Sequence, residues 1–361
     1  MRNIIPIVFA INDSYIKQIV TVLTSIIDNF SNENKLEINI LERNLSDENK
    51  KIISKFNNSN IEINYINMNN VNMNLEKFMD IREHYNYISI ETYYRFFISE
   101  LFPNYDKVIY LDADIIVLED ISKLYNIDIE NYLAGVVFDM NIDLVLAREW
   151  LISKGVTLKE YFEKTLNKTT TNYFNAGVLL LNLKKIREDN IAEKLWKFAE
   201  EKSPLEFQDQ DVLNAVFENN VKYIDRRWNI FKDVQWYLRD HPDKNSKDKI
   251  KEISKNPFIV HYIGINKPWE YNNIYYYDYY FLDDWWKYYR KTEFYKKQDE
   301  KVYKLMKLDH KIPGYYNLFE VLILNYSLIR FWIENRKIMI KILPIKISFI
   351  LNKTKNGKLS I

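Results

Sequence analysis

The chain has 361 residues and 47% apolar content, enough for one large domain with an appendage and too apolar for a disordered chain. Lys and Arg number 51 against 50 Asp and Glu, and this net charge of +1 offers no global argument for nucleic acid as a partner. There is no cysteine, which excludes disulfides, thiolate catalysis and thiolate metal sites and leaves carboxylates, four histidines and oxygen ligands for any metal.

Met1-Arg2-Asn3 leads directly into the apolar run Ile4–Ala10, short for a signal peptide and suited to a first strand, so a cytoplasmic placement is expected. Strands are predicted at Ile4–Ala10, Leu36–Leu41, Ile61–Ile66 and Lys107–Leu111. Between them, Tyr15–Asn29, Asp47–Phe56 and Ser89–Leu101 have helical spacing, with Ser46 and Ser89 as N-caps and Pro103 closing the last. This alternation predicts an α/β fold with a Rossmann-like, mostly parallel sheet flanked by helices. Further strands are expected at Leu133–Phe138, Ala176–Asn182, Val221–Ile224 and Phe258–His261, with helices over Lys184–Glu201 and from Asp209. Met140–Asn172 is long for a simple connection and reads as a partly helical insertion over a site.

The composition changes after Trp269, so residues 1–270 are read as the catalytic domain and 271–361 as an aromatic and basic, mainly helical extension. No run of 18 apolar residues occurs, and no membrane-spanning helix is expected. From Leu328 the chain carries Arg330, Arg336, Lys337, Lys341 and Lys346 against the single acid Glu334, interleaved with Phe331 and Trp332. This segment reads as a peripheral contact with anionic membrane on its inner face. The alternative is packing on the catalytic domain, since Pro344 interrupts any single long helix.

No glycine-rich turn follows the first strand, which disfavours NAD and Walker-type sites. Asn12, Asp13, Ser14 and Tyr15 stand there instead, polar groups beside a ring that suit a nucleobase, although a helix cap would use the same residues. Asp112-Ala113-Asp114 follows the apolar Val108-Ile109-Tyr110-Leu111. In an extended chain two such carboxylates lie on one side about 6.6 Å apart, within reach of one divalent ion. His261, at the end of the last apolar strand, completes a set of two carboxylates and one imidazole that suits Mn²⁺, with Mg²⁺ the alternative for a more oxygen-rich shell. Gly264 and Lys267 beyond it offer close backbone approach and a point charge to phosphate. Asn175 opens a strand, and Asp209-Gln210-Asp211 opens a helix; these acids are either caps or hydrogen-bond partners of a sugar.

In this order, Phe9-Ala10-Ile11-Asn12-Asp13-Ser14-Tyr15, Arg95, Tyr110-Leu111-Asp112-Ala113-Asp114, Asp139, Phe174-Asn175-Ala176-Gly177, Gln208-Asp209-Gln210-Asp211 and the segment His261–Trp269 closely resemble glycosyltransferase family 8, over roughly residues 4 to 269. That family includes bacterial lipopolysaccharide galactosyl- and glucosyltransferases and glycogenin. The resemblance implies a GT-A nucleotide-sugar-binding fold and retaining transfer of glucose or galactose from a UDP-hexose to a glycan or lipid-linked acceptor. It implies Mn²⁺ on Asp112, Asp114 and His261; uracil at Ala10, Asn12 and Tyr15, with Tyr15 stacking; and ribose at Ala113. Arg95, Asp139, Asn175, Asp209 and Gln210 are implied to contact the hexose, and Gly264 and Lys267 the diphosphate. Arg95, Asp139, Asp209 and Gln210 are the implied catalytic group. The family usually has Asp at the position of Asn12 and often Asn at that of Ser14.

Mechanistically, an amide such as Gln210 is a poor nucleophile, which favours same-face attack over a covalent intermediate on Asp139 or Asp209. Two alternatives come from other classes: a phosphohydrolase of the haloacid-dehalogenase type, which usually carries Asp-x-Asp after its first strand, and a catalytically silent sugar-binding scaffold.

Overall fold

The computed structural model describes residues 3–71, 90–264, 267–269, 280–310, 316–323, 326–334, 337–342, 345–350, 352–353 and 359–360. They fall into two compact units, Met1–His261 and Tyr262–Ile361.

In the first unit, apolar and β-branched runs form β1 (Ile4–Ile11), β2 (Lys35–Glu42), β3 (Ile61–Asn67), β4 (Lys107–Leu111), β5 (Ile115–Val117), β6 (Ala134–Phe138), β7 (Phe174–Asn182), β8 (Val221–Tyr223), β9 (Ile230–Phe231) and β10 (Ile259–His261). The helices flanking them are α1 (Ile16–Asn29), α2 (Asp47–Ser54), α3 (Ile98–Leu101), α4 (Ile121–Tyr125), α5 (Met140–Ala147), α6 (Leu158–Lys164), α7 (Leu183–Glu188), α8 (Ile191–Lys202) and α9 (Gln208–Val216). The main sheet has the order β3-β2-β1-β4-β7-β6-β8. β1, β2, β3 and β4 run parallel, whereas β7 is antiparallel to both β4 and β6. Every residue of β7 is buried, as a central strand covered on both faces requires. The mostly parallel, helix-flanked sheet agrees with the βα alternation, and β7, antiparallel to both its neighbours, makes it mixed.

Ser46 caps α2 as expected, accepting from Asn49 N at 3.3 Å. The long connection after β6 is partly helical, with α5 capped by Asp139 and α6 opened by a capping box of Thr157 and Glu160. Three local readings change. Ser89 lies outside the described residues, and Ile90–Phe97 is a 3-10 helix running into the single turn of α3. Glu91 and Tyr93 through Phe97 are all buried, so packing on every side replaces an amphipathic helical face. The predicted helix Lys184–Glu201 is two helices, broken where Asn190 adopts a left-handed φ of 51° that its short polar side chain tolerates. β5 and β9 were not anticipated, being three and two residues long. They pair with β10 in a separate small sheet of order β5-β10-β9.

In the second unit, Trp285 is fully buried, and its ring centre lies 4.4 Å from that of Trp269 and 5.6 Å from that of Tyr262. The expectation of a mainly helical extension needs correction. Helices span Leu282–Tyr289 and Asp299–His310, but Tyr316–Ile323, Tyr326–Glu334, Lys337–Ile342 and Ile345–Ile350 form an antiparallel sheet. The alternation of Ile338, Ile340 and Ile342 with Lys337, Met339 and Lys341 has the strand period of two rather than 3.6. No helix among the described residues is long and apolar enough to cross a membrane.

Candidate metal and donor site

β1 lies between β2 on one side and β4 on the other, so the carboxyl ends of β1 and β4 open at a switch in strand order, the usual place for a ligand crevice. Asp112 and Asp114 leave β4 at that point. Asp112 N donates to Gly177 O at 2.8 Å, extending the β4–β7 ladder by one step. The chain then enters β5, whose antiparallel pairing with β10 sets His261 opposite Ile115, next to Asp114. Two three-residue strands thus unite groups that are 147 positions apart in sequence.

His261 Nε2 lies 3.1 Å from Asp114 Oδ1 and 3.8 Å from Asp112 Oδ2. One ligand atom from each of the three residues lies within 4.8 Å of the others. The opposite ring nitrogen, Nδ1, lies 3.0 Å from Asn229 Oδ1. Glycine at position 177 is needed here: a Cβ would stand 2.3 Å from His261 Cε1 and 2.6 Å from Asp112 Oδ2. Two carboxylates and an imidazole edge converging on one gap fit a hard or borderline divalent cation. Placement therefore agrees with the reading of Asp112, Asp114 and His261 as a metal set.

Behind this set stands a buried ion-pair cluster. Arg95 donates through one terminal nitrogen to Asp112 Oδ1 at 3.1 Å and through the other to Ala176 O at 2.6 Å, while its Nε lies 3.1 Å from Asp209 Oδ2. Its guanidinium sits 4.5 Å from the centre of the Tyr110 ring. Burial works against the Arg95 charge, but Asp209, Tyr110 and Asp112 outweigh it and hold the group firmly protonated. Burial pushes the Asp209 carboxyl above the ordinary value, while Arg95 and the Thr92 hydroxyl, which donates to Asp209 Oδ1 at 2.5 Å, pull it back.

Asp139 Oδ1 accepts from the backbone N–H groups of Asn141 and Ile142, and Oδ2 accepts from the amides of Asn175 at 3.1 Å and Gln210 at 3.3 Å. Burial raises this carboxyl, and the four donors oppose that rise. Gln210 Oε1 accepts from Ala176 N at 2.9 Å and Asn175 Nδ2 at 3.1 Å. Asp139, Asn175 and Gln210 are therefore one network, joined through Asn229 to His261, and Asp209 joins Asp112 through Arg95.

The other residues singled out by sequence lie at the carboxyl end of β1, between the two acids, and in the second unit. Ala10 is half-buried in β1, and Ala113 is buried between the two acids. Asn12 accepts from Ser14 N at 3.1 Å and Oγ at 2.6 Å, the cap that the sequence left as an alternative to base contact. Asp13 accepts from Ser46 N and Asn49 Nδ2, each at 2.8 Å, tying the β1 turn to α2. Tyr15 is half-buried just before α1. In the second unit, Gly264 has the left-handed φ of 66°, and buried Lys267 donates to Tyr262 O. Sequence reasoning missed Thr92 and Asn229 as parts of the site, and it quoted Gly177 within the Phe174-Asn175-Ala176-Gly177 motif without giving it a role. Gly177 carried a signal as a small residue in a central strand; Asn229 in Trp228-Asn229 carried none.

The sequence model described as glycosyl transferase family 8 matches residues 6–273. A putative glycosyltransferase of Haemophilus influenzae is 32% identical over 189 residues, covering 51% of this chain and 50% of that protein. The lipopolysaccharide 1,3-galactosyltransferase of Salmonella typhimurium is 31% identical over 183 residues, covering 49% of each. The chain thus spans about half the length of these curated relatives. Among solved structures, the galactosyltransferase LgtC with donor and acceptor sugar analogues superposes with a TM-score of 0.64 at 22% identity, covering 82% of this chain and 99% of that one, a likeness of fold.

Proposed function

The chain belongs to glycosyl transferase family 8, and on that premise we propose that it transfers glucose or galactose from a UDP-sugar to a glycan or lipid-linked acceptor, with retention and with Mn²⁺ as the metal. The observation that carries the reading is the convergence of Asp112, Asp114 and His261 within 4.8 Å at the carboxyl edge of the sheet. Relatives named as galactosyl- and glucosyltransferases support the hexose class.

In this reading Asp112, Asp114 and His261 hold the ion, which when bound supplies charge neutralisation to the departing diphosphate. Arg95 fixes Asp112 on one side and Asp209 on the other, so the two acids keep their places when the donor arrives. Ala10, Asn12 and Tyr15 take the uracil and Ala113 the ribose; Gly264 and Lys267 are the residues that the family resemblance assigns to the diphosphate. Asn175, Asp209 and Gln210 take the hexose. The four donors on Asp139 occupy both of its oxygens, and Asp209 is committed to Arg95 and Thr92, so neither carboxylate is poised as a nucleophile. This favours same-face attack, with the acceptor proton passing to the leaving phosphate and the Gln210 amide, held in place by Ala176, Asn175 and Asp139, as a polar group beside the cationic sugar.

The phosphohydrolase alternative is disfavoured because the paired acids follow β4, not β1. The silent scaffold is disfavoured because the metal set is assembled. Screening UDP-hexoses for Mn²⁺-dependent UDP release tests the proposal. Release of UDP from glucose or galactose donors is expected; binding of donor with no release, or turnover of phosphomonoesters only, would overturn it.

A further inference from the structure

The hydrogen-bond network behind His261 has a direction that can be read from its ends. Gly177 N, a backbone donor, lies 3.0 Å from Asn175 Oδ1, and the carboxylate of Asp139 lies 3.1 Å from Asn175 Nδ2, so the Asn175 amide can point only one way. Its oxygen therefore faces Asn229, which must present its own N–H₂, at 2.9 Å. That leaves Asn229 Oδ1 toward His261, 3.0 Å from Nδ1, and an acceptor there calls for a proton on Nδ1.

We propose that Asn229 is a positioning residue that holds the His261 proton on Nδ1 and so keeps Nε2 open toward Asp112 and Asp114. Without it the local preference inverts. With no acceptor left at Nδ1, the Asp114 carboxylate, 3.1 Å from Nε2, draws the proton to the nitrogen that must bind metal. Asn229 is well placed to prevent this, because it is buried and ends the 3-10 turn Arg226–Asn229 that feeds β9, the strand paired with β10 beside His261. The same amide connects the metal set to the Asn175–Gln210–Asp139 network. The inference rests on the proposed function only for its catalytic consequence.

The test uses full-length protein carrying ¹⁵N-histidine, with four histidines to assign. In metal-free protein at alkaline pH, His261 should show a protonated Nδ1 and a bare Nε2. Asn229→Ala should shift the proton to Nε2 and weaken Mn²⁺ binding, measured with UDP present, by about 10–100-fold, the range for loss of an outer-shell partner. Asn229→Asp keeps the acceptor for Nδ1 but cannot donate to Asn175, so it should restore the tautomer and most of the Mn²⁺ affinity while transfer stays depressed. Thermal melts identify a variant that fails to fold, and the Asp variant then carries the comparison. A wild-type Nδ1 proton that stays put in Asn229→Ala, with unchanged Mn²⁺ affinity, would overturn the inference. A tautomer that follows Asn229 in a protein releasing no UDP would instead sink the proposed function and leave this inference standing.

Discussion

Gly177 lies against His261 so closely that a Cβ on it would stand 2.3 Å from the imidazole Cε1. The contact is made across two sheets, since Gly177 belongs to β7 of the main sheet and His261 to β10 of the small one. Gly177→Ala must therefore push the imidazole, the Asp112 carboxylate or both out of place. Overpacking of this kind costs about 1–3 kcal/mol. We expect a lower melting temperature together with loss of Mn²⁺-dependent UDP release; a variant with wild-type melting and activity would show that the gap can widen freely.

Asp112→Asn, Asp114→Asn and His261→Ala should each reduce turnover by roughly two orders of magnitude, the scale for losing a major electrostatic stabiliser. EDTA should abolish UDP binding in the parent protein, because the diphosphate must be bridged to two carboxylates. Calorimetric titration of UDP with and without Mn²⁺ checks this. Full activity after EDTA treatment would remove the metal assignment.

Tyr15 and Gln210 should separate by phenotype. Gln210→Ala should lower kcat with little change in UDP affinity, whereas Tyr15→Ala should weaken UDP binding itself. Steady-state kinetics and equilibrium binding distinguish them. Mass-spectrometric trapping of a glycosylated Asp139 or Asp209 would replace the same-face mechanism with a covalent one.

Asp211 holds the start of α9, accepting from the Tyr161 and Tyr173 hydroxyls and from Phe207 N, each at 2.8 Å. Burial raises its carboxyl to about 6, with these donors resisting the rise. A folded-state value above the unfolded one means that its contribution to stability is complete below the unfolded value of 3.8 and is lost as the pH rises through about 6. Asp211→Asn, which cannot ionise, should lack that loss. Across this window the melting temperature of the Asn variant should therefore gain on that of the parent as the pH rises, and parallel curves would contradict the assignment.

The amino-acid sequence by itself determined the βα alternation, the strand carrying Asp112 and Asp114, the apolar run ending in His261 and the helix start at Asp209. These signals are local: apolar periodicity over many residues and functional groups at the ends of such runs. It also left two readings of Asn12, cap or base contact, and the side chain does cap. Only the tertiary structure decided how the site closes. His261 reaches Asp114 because the expected strand β10 pairs with β5, which at three residues is too short for any periodicity to declare. Arg95 turns inward to join Asp112 and Asp209, since a buried guanidinium must find acceptors wherever the fold supplies them. Asn229 acquires its role from partners 54 and 32 positions away, and no property of Trp228-Asn229 announces them. The physical reason is common to all three. A hydrogen-bond direction and a 3 Å approach depend on which segments pair across the sheet edge, a choice made by packing of the whole unit rather than by the residues that benefit from it.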